Sequence, residues 1–208
     1  MGLDLKQNLL SKAEKLGIYD KVIQHNANYP LPFDNNKFET VFSNTFYWFN
    51  DIYKILKEAS RICVNNGRII ILLPDVNFKK NLIYNQYLNG HHQWAKLLDR
   101  GIYANISKHC YSLDKWKSIF SSLNLVVEEH TSYLSKKFIQ IWNIGMRPYS
   151  PYLVEMANRL SVEERKKIKK RLIKEITPIL KSYIEYEMRI DKNASCFHMF
   201  VLKNEKSG

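Results

Sequence analysis

A chain of 208 residues with 45% apolar side chains has room for one domain with a sizeable core, which excludes a disordered polymer. Its formal charge of +12 is compatible with nucleic acid, an anionic membrane surface or acidic ligands. Much of that charge is lysine, accompanied by many asparagine, isoleucine and tyrosine residues, and the base composition of an AT-rich genome explains such a bias as readily.

No apolar run approaches the ~20 residues of a membrane span, and no basic-then-apolar leader opens the chain. Cys63, Cys110 and Cys196 are widely scattered, form no metal-ligand spacing and cannot all pair. A reduced, cytoplasmic protein with no transmembrane segment is the expectation.

In chain order, Asp4 can cap a helix in which Leu5, Leu9, Ala13 and Leu16 form a stripe. Leu16-Gly17 ends that helix, Val22-Ile23-Gln24 reads as a strand, and Asn26-Ala27 follows as a turn. Leu31-Pro32-Phe33 then leads into the polar loop Asp34-Asn35-Asn36-Lys37. Thr40-Val41-Phe42 is a short β-prone run. Asn50 is a plausible N-cap, and Asp51 suits the positive end of a helix. Ile52, Ile55, Leu56, Ala59 and Ile62 fall on one helical face. Asn65-Asn66-Gly67 supplies a turn, and Ile69 to Leu73 is apolar throughout, as a strand covered on both faces should be. Strand, crossover helix and strand make a βαβ unit of a parallel sheet.

Pro74-Asp75 closes that strand. The segment from Asp75 to Cys110 carries His91, His92, Trp94 and several tyrosines. Either histidine can act as a general base near neutral pH, although a pair of exposed helix histidines is the plainer reading. Ser112 can cap a helix from Leu113 to Leu123, and Leu125 to His130 reads as a strand. His109 stands just before that cap and is read first as structural. Phe138 to Pro151 is rich in aromatics and turn formers. Within it Arg147 can clamp a carboxylate or phosphate, or bond loop carbonyls.

Ser161-Val162-Glu163-Glu164 is a capping-box pattern, and a long basic helix follows that Pro178 should kink or divide. A basic amphipathic helix can meet membranes or nucleic acid, but the plainer reading is a solvated face. Cys196 to Leu202 is β-prone. No Ser/His/Asp nucleophile motif, paired catalytic carboxylates, phosphate-binding glycine loop or zinc spacing is present.

The ordered set Asn26-Ala27, Leu31-Pro32-Phe33, Phe38-Glu39-Thr40-Val41 and Arg61-Ile62-Cys63-Val64-Asn65-Asn66-Gly67-Arg68-Ile69 resembles the class I S-adenosylmethionine-dependent methyltransferases, in their type 11-like form. The usual pattern there is Asp-Ala, Leu-Pro-Phe, Phe-Asp-x-Val and Arg-x-Leu-x-x-Gly-Gly-x-Leu. The resemblance covers the first half of the chain. It implies an α/β, Rossmann-like sheet with helical insertions and a final antiparallel edge strand. It also implies one domain, with a partial cofactor-binding core over 1–75 and substrate-side insertions over 76–108 and 136–190.

The implied cofactor is S-adenosylmethionine, held by Asp4 at the ribose and by Asn26 and Ala27 at the adenine. Ser43, Asn44, Phe46, Tyr47 and Trp48 would border the pocket, and the aromatics can face a sulfonium through cation–π attraction. Asn26 departs from the family's aspartate. The family's glycine-rich first motif and first strand have no counterpart, so the resemblance implies an N-terminally incomplete domain, inactive alone unless an upstream segment or a partner chain completes the sheet. Catalysis would be methyl transfer to oxygen or nitrogen of a small-molecule substrate, with His91, His92, His109 or Arg147 as candidate catalytic residues. A non-catalytic binding module is the alternative, and an RNA methyltransferase a second one. Nucleic acid is the less favoured partner, because no appended RNA-binding motif is visible.

Overall fold

The structure, a computed structural model, describes residues 1–15, 17–82, 93, 105–146, 149–190 and 195–206. Strand β1 (Gly2–Asp4) is followed by helix α1 (Gln7–Glu14), β2 (Val22–Gln24) and β3 (Phe38–Ser43). Helix α2 (Ile52–Ile62) runs directly into β4 (Cys63–Pro74), then α3 (Val76–Asn81). Helix α4 (Leu113–Ser121), β5 (Leu125–Tyr133), a short helix Lys136–Gln140, a π-helical turn Ile141–Met146, the helix Ser150–Asn158, the long helix Val162–Ile190 and β6 (Phe197–Asn204) complete the order.

The strands form two sheets, β1-β2 and β3-β4-β6-β5. The fold is mixed α/β and Rossmann-like, as the resemblance implies. The sheet order seats β6 between β4 and β5, one place inward of the margin where the sequence put it. Its burial explains the position: every residue of β6 is at least half-buried, as an inner strand requires.

Two compact units make up the chain, Met1–Leu72 with Asp114–His130 and Phe200–Gly208, and Leu73–Leu113 with Thr131–Met199. In the first, α2 forms where the sequence requires it. Asp51, not Asn50, is the N-cap, and its side chain accepts the Lys54 N–H at 3.0 Å. Ile52, Ile55, Leu56, Ala59 and Ile62 are all 3% exposed or less, each large one contributing about 1.5–3 kcal/mol by burial. On α4, Trp116, Ile119 and Phe120 are buried, and Phe120 meets Phe200 of β6 edge-on at 4.9 Å between ring centres. The stripe expected on α1 is shifted: Leu10 is buried, whereas Leu5 and Leu9 are exposed.

β3 pairs in parallel with β4, from Thr40 opposite Arg68 to Ser43 opposite Ile71. Two residues earlier on β3, Phe38 pairs with Cys63, five residues before Arg68, so the ladder skips over a bulge. Asn66 absorbs it with φ 61, in the left-handed region that asparagine tolerates. Gly67 meets a different constraint. A Cβ there would lie 2.7 Å from Cys63 Sγ and 2.9 Å from the Glu39 carbonyl oxygen. Asn204, 1% exposed at the end of β6, fastens the same junction: its Nδ2 donates to the carbonyls of Ser60, Cys63 and Val64, and its Oδ1 accepts from Ser60 Oγ at 2.6 Å.

In the second unit Asp75 caps α3, its Oδ1 accepting the Asn77 N–H at 2.8 Å. Its Oδ2 faces His198 Nε2 at 2.9 Å, and His198 Nδ1 lies 3.3 Å from Ser132 Oγ. Asp75 and His198 are both buried, and this chain of contacts gives each a polar partner. Phe78 and Phe197 pack edge-on beside them at 5.0 Å. The capping box is literal: Glu164 accepts the Ser161 N–H at 2.8 Å, and Ser161 Oγ accepts the Glu164 N–H at 3.2 Å. Pro178 does not divide the long helix, which is continuous across it. Within the aromatic, turn-former-rich stretch from Phe138, the residues through Met146 are helical.

Candidate functional site

The first unit holds a cleft of about 450 Å³ lined by β1, β3 and the segments that follow them. β1 ends one sheet and β3 ends the other, and residues of both strands form its walls. Parallel pairing with β2 sets Asp4 opposite Gln24 at the carboxyl end of β1. β3 delivers Ser43 and Asn44 at its own carboxyl end, where ligands of open α/β sheets gather.

Asp4, Ala27, Ser43 and Asn44 line this cleft together. Asp4 Oδ1 accepts the Lys6 N–H at 2.7 Å, which turns the chain toward α1. Lys6 is the N-cap residue, so Asp4 serves the helix start from two positions further out. No other hydrogen bond engages its carboxylate among the described residues, which leaves Oδ2 able to accept. Asp4 is also the one carboxylate among the lining residues.

Asn26 is committed elsewhere. Its Oδ1 accepts from the Asn28 N–H at 3.1 Å and from Asn28 Nδ2 at 3.0 Å, closing its own turn. Asn26 does not line the cleft. Ser43 Oγ accepts the Thr45 N–H at 3.2 Å and holds the turn that follows β3.

Tyr47 and Trp48 stand on a 3-10 turn, Phe46–Trp48, with their rings 5.9 Å apart, and neither lines the cleft. The buried aromatic of that turn is Phe46, and it does. Phe33, Phe38, Phe42 and Phe49 also line the walls and were not singled out from sequence. The alternation of Phe38, Thr40 and Phe42 on one face of a strand was the available signal.

Beside the cleft is a smaller one of about 190 Å³ that shares Ala27, Phe49 and Ile55 and adds Asp51, Lys54 and Glu58. Its wall is braced by an ion pair. Arg61 Nε and Nη2 donate to the two oxygens of Glu58, both at 2.8 Å. Arg61 also donates to the carbonyls of Phe33 at 2.7 Å and Leu31 at 2.9 Å, and Glu58 accepts the Leu31 N–H at 2.7 Å. The Arg61 hydrogen bonds hold the Glu58 carboxyl below its ordinary range, and Glu58 raises Arg61 in return. Two sequence motifs are therefore one object: the Arg61 segment clamps the Leu31-Pro32-Phe33 backbone.

Of the candidate catalytic residues, His91, His92 and Arg147 lie outside the described residues. His109 belongs to the second unit, is 6% exposed, and has Nδ1 3.4 Å from Tyr111 Oη. The described residues contain no cluster that could hold a metal ion.

The cleft's donor set suits the nucleoside part of the implied cofactor. Aromatic and aliphatic walls suit a flat base, and a free carboxylate oxygen suits a sugar diol. It does not suit the amino-acid end: no lysine or arginine is among the lining residues, and the chain's seven glycines stand far apart in sequence.

Residues 1–71 match a family model described as a methyltransferase domain. No curated protein sequence matches the chain. Among solved structures, the [4+2]-cyclase SpnF shares 10% identity at a TM-score of 0.52, over 99% of this chain and 66% of that one. Geranyl diphosphate methyltransferase, solved in complex with SAM, shares 14% at 0.50, over 98% and 67%. The YcgJ protein from Bacillus subtilis shares 15% at 0.49, over 100% and 82%. At such identities the likeness is one of fold, and the chain spans about two thirds of the first two proteins.

Proposed function

We propose that this chain is a class I S-adenosylmethionine-dependent methyltransferase domain, a reading supported by the match over residues 1–71 and by its fold, and that it binds the nucleoside half of that cofactor in the cleft between β1 and β3. The observation that carries the reading is the convergence of Asp4, Ala27, Ser43 and Asn44 on one cleft. Asp4 Oδ2 accepts from the ribose hydroxyls. The Ala27 segment meets the adenine edge through backbone, because the Asn26 side chain is engaged in its own turn. Phe46 and its neighbours exclude water from the base. When bound, the cofactor supplies an electrophilic methyl group. The acceptor is an oxygen or nitrogen of a small molecule.

The reading includes weak binding of the whole cofactor by these 208 residues alone. No cationic side chain lines the cleft to pair with the methionine carboxylate, and its one side-chain carboxylate is taken by the ribose.

The test is an amide NMR titration with adenosine, with S-adenosylmethionine as the second ligand. Adenosine should shift the signals of Asp4, Ala27, Ser43 and Asn44. Asp4→Ala should lower its affinity by about 1–3 kcal/mol, the worth of charge-assisted acceptors. S-adenosylmethionine should bind no better than adenosine. Unmoved signals at these residues, or an unchanged affinity in Asp4→Ala, would remove the nucleoside site. Micromolar binding of the intact cofactor by the monomeric chain would remove the claim that its methionine end is unheld.

A further inference from the structure

The long helix Val162–Ile190 leaves its apolar side open. Ile168, Leu172 and Ile179 are 52%, 56% and 64% exposed, and Ile176 is 39% exposed. At 3.6 residues per turn these four fall within an arc of about 80°. The opposite side carries Lys167, Lys170, Arg171, Lys174 and Lys181. Over 165–181 there are eight basic residues and one acidic one, Glu175, which is already paired with Arg171 at 2.8 Å.

A solvated charged face does not account for this helix. Solvation explains the lysines but not a row of exposed isoleucine and leucine at helical spacing. Nucleic acid would meet the cations and leave the apolar row in water. A second copy would cover the row but bring an identical cationic segment alongside. One surface satisfies both sides at once: apolar at depth, anionic at its rim. The 165–181 stretch is about 25 Å long, enough to lie in such an interface. Its charges keep it from crossing, and no described helix is long and apolar enough to span a membrane. Arg165 and Lys169, which fall on the apolar side near the start, have stems long enough to raise their charges to the headgroups.

We propose that the helix Val162–Ile190 docks this protein, through its 165–181 segment, in the plane of an anionic lipid bilayer. The Ile168–Ile179 row sinks into the acyl boundary and the lysines and arginines contact headgroup phosphates and carboxylates. The proposal is independent of the nucleoside site, which lies in the other unit.

The experiment is flotation of the full chain with vesicles of phosphatidylcholine alone and of phosphatidylcholine with phosphatidylserine. The protein should float with the second and stay behind with the first, and added salt should release it. Two variants separate the contributions. Changing Lys166, Lys167, Lys169 and Lys170 to Gln should weaken binding by about a hundredfold or more, since each cation near such a surface contributes about fivefold. Leu172→Gln with Ile179→Gln should abolish it at unchanged charge, with helicity checked by circular dichroism. Equal flotation with both vesicles, or none with either, would overturn the proposal. So would RNA binding that the lysine changes abolish and the apolar changes spare, or a dimer in solution that Leu172→Gln dissociates.

Discussion

Arg61→Ala tests the central structural claim, that one guanidinium holds the wall of the candidate site. Arg61 donates to both oxygens of Glu58, to the carbonyls of Leu31 and Phe33, and to Asn35 Oδ1 at 3.0 Å. The Arg61 side chain is 30% exposed and that of Glu58 17%. A fully exposed pair would be worth about 0.5 kcal/mol, whereas breaking a buried pair costs about 3–5 kcal/mol. The observed burial lies nearer the second limit, and Glu58 keeps its Leu31 N–H when Arg61 is gone. The expected loss is therefore about 2–3 kcal/mol, or roughly 4–12 °C in Tm for a chain of this size. Thermal and urea unfolding followed by circular dichroism would measure it. Arg61→Lys should recover little, because an ammonium cannot span Glu58 and two carbonyls at once. A second readout is pH. Because Glu58 titrates below its ordinary range in the folded chain, its contribution is full above about pH 4.3, the unfolded value. It is lost as pH falls through the lower folded value. Glu58→Gln should flatten that acid limb. A Tm change under about 1 °C in Arg61→Ala, or full recovery by lysine, would refute the clamp.

Two further outcomes follow from packing. Gly67→Ala should destabilise by about 1–3 kcal/mol in urea unfolding, because the added Cβ meets a backbone oxygen that cannot swing aside; an unchanged midpoint would mean the bulge relaxes freely. Burial pushes the Cys110 thiol up to about 12 and the Cys196 thiol to about 11, and it raises Cys63 as well. All three should resist iodoacetamide at pH 8 in the folded protein and react once it is unfolded, and rapid native labelling followed by mass spectrometry would contradict that.

The parts of the fold that local chemistry dictates were legible in the sequence. The apolar face of α2, the capping box at Ser161 and the parallel pairing of β3 with β4 are all written in spacing. The position of β6 was not, because pairing order depends on which edges are open and no local signal records it. Nor was the Leu10 face of α1, since adjacent leucines at 9 and 10 allow more than one buried stripe. Asp4 and Ala27, named through the family's motif order, and Ser43 and Asn44, named from the carboxyl end of a strand, line one cleft. Asn26 illustrates the limit of that route. Its place in the motif suggested adenine, but its amide is used two residues on, a choice only the turn geometry reveals. Asn204 and His198 were missed outright, because their partners are more than a hundred residues away.

The Asn204 contacts have a consequence for how the protein is made. The junction of α2 with β4 is tied by residues near the carboxyl terminus: Asn204 to Ser60, Cys63 and Val64, and Lys206 to Asn36, Asn65 and Arg61. A ribosome delivers Asn204 some 140 positions after the residues it ties. The unit that carries the candidate site therefore cannot close this junction when its own early strands emerge. It waits, with its apolar helix face and open strand edges exposed, until some 140 further residues have been added. That interval is when a chaperone would be needed. A tag fused close behind Asn204 would disturb the opposite end of the sequence before it disturbed its own neighbourhood.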